Sequence, residues 1–149
     1  MNASRILPDL QCSLVCEDVR REVTGKFMLI GVVNYIPTPP LPIQARLCVF
    51  NQWTAGLGEF RENVRILAPD QTTVLSKGEV KFALRDPAQC ASNLNVFGLQ
   101  FEKPGVYYVE VLVDDVMKLR FPFPVAIVQQ QQQPPQTASP APGQPPGGE

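Results

Sequence analysis

The sequence predicts an all-β protein: an antiparallel β-sandwich of about nine strands on an immunoglobulin- or fibronectin-like Greek-key plan, followed by a disordered C-terminal tail. Three observations carry that expectation. Apolar and polar residues alternate with the two-residue period of a pleated strand in segment after segment. Turn residues separate those segments at short intervals. No segment of normal helix length has a helical period.

The first strand is expected at residues 10–16, where Leu10, Cys12, Leu14 and Cys16 alternate with Gln11, Ser13 and Glu17. A charged segment, residues 17–26, follows and ends in a Thr24-Gly25 turn, which favours a long hairpin with an irregular middle over a helix. Residues 27–33, FMLIGVV, are apolar on both faces and predict a central, doubly covered strand, with Gly31 at a bulge or a close approach. Prolines 37, 39, 40 and 42 then hold the chain extended in a crossover between sheets or along an edge.

The next strand covers residues 46–53, with Leu47 and Val49 on one side and Cys48 and Phe50 on the other. After a turn at 54–58, Phe60, Val64 and Ile66 oppose Arg61, Asn63 and Arg65. A short strand at 72–76 and an alternating one at 79–85 come next, then a loop at 86–93 that allows one helical turn, and a strand through Phe97, Leu99 and Phe101. Lys103-Pro104-Gly105 turns the chain, and Tyr107 stands where a corner tyrosine would bond back across that turn. The strand through Val109, Val111 and Val113 ends at Asp114-Asp115, a pair suited to the left-handed conformations of a tight hairpin. Pro122 and Pro124 in the return strand mark an edge, or confine its pairing to residues 117–121 and again from Val125.

Residues 1–128 are therefore read as one domain and 129–149 as its tail. That tail, QQQQQPPQTASPAPGQPPGGE, has too little apolar surface to offset the entropy of ordering, and it reads as a linker or solubilising appendage. Without Glu149, 13 of the 14 acids remain and balance the 13 bases, so the domain is neutral and has no electrostatic footprint for nucleic acid or an anionic membrane. No stretch is long and apolar enough for a signal peptide or a bilayer span, and a cytoplasmic location is expected. Cys12, Cys16, Cys48 and Cys90 are then free buried thiols; without histidine or a Cys-x-x-Cys pair, no metal and no cofactor are expected. The absence of histidine also removes the usual general base and nucleophile activator, so the protein is read as not an enzyme, with no catalytic residue assigned.

Two features are candidate sites. Glu17, Asp18, Arg20, Arg21, Glu22 and Lys26 crowd six charges into ten residues of a chain that is 18% charged, either as a recognition surface or as a solvated hairpin paired across its turn. Trp53, the single tryptophan, precedes a Gly-containing loop and either stacks a small ligand or carbohydrate or closes one end of the core. Gly56-x-Gly58 is not a phosphate loop, because the Lys and the following helix are missing. Asp114 and Asp115 are adjacent and poor joint metal ligands. The leading expectation is a protein-interaction module with an unknown partner and an unassigned oligomeric state; the alternative is the small-ligand binder at Trp53.

The run Cys16-Glu17-Asp18-Val19-Arg20-Arg21-Glu22, then Gly25-Lys26 and Leu29-Ile30-Gly31-Val32, resembles the opening of a family of short uncharacterised bacterial proteins with the pattern C-(E/D)-D-(V/I)-R-x-E-x-x-G-K-x-x-L-I-G-(V/I). Pro104-Gly105-x-Tyr107 and the acidic hairpin fit the same family. The resemblance implies a bacterial, cytoplasmic, β-rich protein and no particular activity.

Overall fold

The computed structural model describes residues 4–37 and 41–126; the tail predicted at 129–149 lies outside the described residues. Eight strands form two antiparallel sheets. In chain order they are β1 (Asp9–Arg21), β2 (Phe27–Val32), β3 (Ile43–Thr54), β4 (Gly58–Leu67), β5 (Val74–Leu84), β6 (Ala91–Phe101), β7 (Gly105–Val113) and β8 (Val116–Val125). One sheet runs β2-β1-β3-β6 and the other β5-β4-β7-β8. Among the described residues no helix is long and apolar enough to cross a membrane.

The core lies between the inner faces. Leu47 and Val49 of β3, Phe97, Leu99 and Phe101 of β6, Val64 and Ile66 of β4, Val109 of β7 and Phe123 of β8 fill one end. Trp53, Phe60, Leu84, Val111 and Val113 fill the other. The predicted corner is present: the Tyr107 hydroxyl donates to the Lys103 carbonyl at 2.7 Å, and the ring meets Phe101 edge-on. Asp114 and Asp115 have φ of 45° and 64°, as a two-residue hairpin whose twist matches its strands requires. Strand β8, with Pro122 and Pro124, lies at a sheet edge.

Five expectations are corrected. The predicted strands at 72–76 and 79–85 are one, β5, so the count is eight and not nine. Gly78 stays in the ladder opposite Val64, at a point where β6 passes so close that a Cβ would lie 2.5 Å from the Asn95 Oδ1. The charged segment is no irregular middle: β1 continues as strand to Arg21, and only the tip turns, where the Glu22 N–H donates to the Lys26 carbonyl at 2.8 Å. The loop at 86–93 has no helical turn, and β6 already starts at Ala91. Of the four thiols, Cys16 and Cys48 are buried, Cys12 is half-buried and Cys90 is exposed.

The largest correction is β2, an edge strand and not a central one. Met28, Ile30 and Val32 are 41%, 40% and 51% exposed. Its second apolar face has another cause. Arg21 pairs with Phe27 and Leu14 with Phe50, so in a flat sheet the two phenylalanines would be separated by seven residues of β1, about 23 Å. Their rings are 5.4 Å apart. The β1–β2 hairpin therefore bends back over the outer face of its own sheet and buries Phe50 and Cys48. The corner is at Gly31, with φ 65°, where a Cβ would meet the Glu17 carboxylate at 2.8 Å.

Candidate functional site

The bent hairpin places the predicted charged residues on one exposed element. On β1, Asp18 and Arg20 point to the same side, two residues apart, and their partners across the ladder are Ile30 and Met28. Charge pairing runs along the strand and back to β3 instead of across the turn: Arg20 Nε lies 3.1 Å and Arg46 Nη1 3.8 Å from the Asp18 carboxylate. The Arg20 hydrogen bond first, and then the Val19 N–H, hold the Asp18 carboxyl below its ordinary range. Arg21 donates to the Gly25 carbonyl at 3.3 Å and covers the Phe27 ring at 5.1 Å, which ties the tip to the aromatic contact beneath it. Glu22 accepts from the Thr24 hydroxyl at 3.0 Å. Glu17 packs at the corner, and Lys26 makes no ion pair among the described residues.

Trp53 stands apart from this element. It is 0% exposed, its ring stacks on Phe82 at 5.7 Å, and its indole N–H donates to the Glu62 carboxylate at 2.5 Å. Neither ring face is open, so Trp53 closes the core and is not a stacking platform. A surface groove of about 840 Å³ does open nearby, lined by Arg5, Phe60, Arg61, Lys81, Phe82 and Asp114, but Trp53 does not line it. Two of its cations are already paired, Arg5 with Asp114 and Arg61 with Glu79.

Glu62 was missed in the sequence. It is 0% exposed and accepts four hydrogen bonds: from Asn51 (3.1 Å) and Asn95 (2.6 Å) on Oε1, and from Trp53 (2.5 Å) and Asn93 (3.0 Å) on Oε2. These side chains form a polar layer between the two ends of the core. The signal was parity: Glu62 shares the inward phase of Phe60, Val64 and Ile66, Asn51 that of Leu47, Val49 and Trp53, and Asn93 and Asn95 that of Phe97 and Leu99. All four donors are neutral, and their convergence leaves Glu62 no free direction for a substrate or metal. Among the described residues, no three of Cys, Asp and Glu gather as a metal-ligand set.

Fold and site together define a two-sheet all-β domain with a buried, hydrogen-bonded polar layer and an exposed hairpin that is charged on one strand and apolar on the next. The chain belongs to a family of unknown function, DUF6941, which it matches over residues 11–126. The match takes in both candidate sites. No curated protein matches the chain.

Proposed function

We propose that the protein is a non-catalytic, protein-interaction β-sandwich of the immunoglobulin and fibronectin kind, working in the bacterial cytoplasm and engaging its partner through the β1–β2 hairpin. The carrying observation is the exposed stripe of Met28, Ile30 and Val32 on a sheet edge, beside Asp18 and Arg20. An apolar row rimmed by polar groups is the composition of an interface.

Topology supports the same element. With β2 set aside, β1, β3 and β6 face β5, β4, β7 and β8, and the corner tyrosine opens β7, as in Greek-key sandwiches of the immunoglobulin kind. Strand β2 is what this chain adds to that plan, so function is sought there first. The four free thiols fit a reducing compartment.

The test is capture of a partner from lysate by the wild type, by Ile30→Asp, and by the double variant Arg20→Glu, Arg21→Glu, each checked for native circular dichroism. Loss of one specific partner in both folded variants is expected. Undiminished capture by both would overturn the assignment to the hairpin.

A further inference from the structure

We propose that β2 pairs edge to edge with β2 of a second copy of this chain, antiparallel about a twofold axis at Leu29. The proposal rests on the hairpin being the interaction surface and names its partner.

Of the four edge strands, three are guarded. Strands β5 and β6 lie against each other across the side of the sandwich, and β5 carries Lys77 and Lys81. Strand β8 carries two prolines, and its open side is occupied by Ile36, whose N–H donates to the Pro124 carbonyl at 2.9 Å and whose carbonyl accepts from the Ala126 N–H at 2.9 Å. Strand β2 has no proline, no charge and no covering segment among the described residues. Lysine, proline and cover are three of the devices that keep an edge from recruiting another strand, and here those three are missing.

The backbone decides the register. Because the Glu22 N–H bonds to Lys26 at the tip, alternation along the antiparallel ladder makes Arg20/Met28 and Asp18/Ile30 the pairs that bond across to β1. Phe27 and Leu29 therefore turn their N–H and C=O groups to the open edge. An axis at Leu29 lets the two Leu29 residues exchange two hydrogen bonds and sets Met28 against Ile30 of the second copy on the exposed side. Gly31, left-handed, ends the regular stretch.

Self-pairing also suits the charge pattern. Residues 27–36 contain no charged side chain, so a twofold contact places no like charges opposite one another. A foreign strand would need selective pockets or charges along this edge. The strand itself carries no charge.

Sedimentation of the full chain from about 1 µM to 1 mM tests it, since that range brackets edge contacts of ordinary strength. The wild type is expected to dimerise with concentration. Leu29→Pro removes an N–H that β1 does not use, so it should keep native circular dichroism and be monomeric. Met28→Glu and Ile30→Lys should each weaken dimerisation at least tenfold, and mixing the two should restore a heterodimer, because the register sets the new acid against the new base. A wild type monomeric throughout, a dimer that survives Leu29→Pro, or a mixture that stays monomeric would overturn the proposal. If the wild type is monomeric but Leu29→Pro loses a foreign partner in the capture experiment, only the second copy is overturned and the interaction surface stands.

Discussion

The β1–β2 hairpin holds six charged side chains at the surface, whereas the space between the sheets holds, among the described residues, one carboxylate, Glu62, with no exposed surface. The six attract attention in the sequence and the one does not, yet the energetic stakes run the other way. An exposed pair such as Asp18–Arg20 exchanges water for a partner at little net gain. A buried carboxylate has lost its water entirely, and Asn51, Trp53, Asn93 and Asn95 must replace it. Charge density along a chain thus locates the surface, and an isolated charge in the inward phase locates the constraint on the core.

Breaking the interior first should have the largest effect. Glu62→Leu leaves four buried donors without an acceptor and should lower unfolding stability by about 3–5 kcal/mol, read from urea midpoints. A loss below about 1 kcal/mol would mean that water reaches the layer, and the contrast with the hairpin would fail. An intermediate effect is expected from Gly78→Ala. Its Cβ would crowd Asn95, the nearest of the two amides on Glu62 Oε1, and should cost about 1–3 kcal/mol although β5 otherwise favours a side chain. If the Asn95→Ala background removes that penalty, the crowding is shown to act through Asn95.

The smallest effect belongs to the hairpin. Arg20→Ala should shift the melting temperature by about 1 °C or less at neutral pH. Because the Asp18 carboxyl is held below its ordinary range when folded, its contribution is present above about pH 4 and is lost as pH falls through the folded-state value. Urea midpoints of Asp18→Asn and wild type should therefore converge in acid. A gap that widens in acid would contradict the ion pair.

Legibility followed the same divide. The strands through Leu47 and Val49, through Phe97 and Leu99, and through Val109 and Val111 were readable because each alternates over a local stretch, and local periodicity is a property of the chain. The Tyr107 corner and the Asp114-Asp115 hairpin were readable because backbone sterics confine such turns to few residue types. The position of β2 was not readable. Two apolar faces describe equally a strand between neighbours and a flap with one face on Phe50 and the other open, and only long-range packing separates them.

Alone, the sequence determined which residues are extended, where the chain turns, and which side chains share a face, since all three depend on neighbours a few bonds away. The tertiary structure decided which faces are covered: that Trp53 is sealed against Glu62, that three asparagines from two strands converge on one carboxylate, and that Met28, Ile30 and Val32 are left outside. Those outcomes depend on which strands, distant in sequence, come to lie side by side, and on a bend at Gly31 whose result is visible only when Phe27 reaches Phe50.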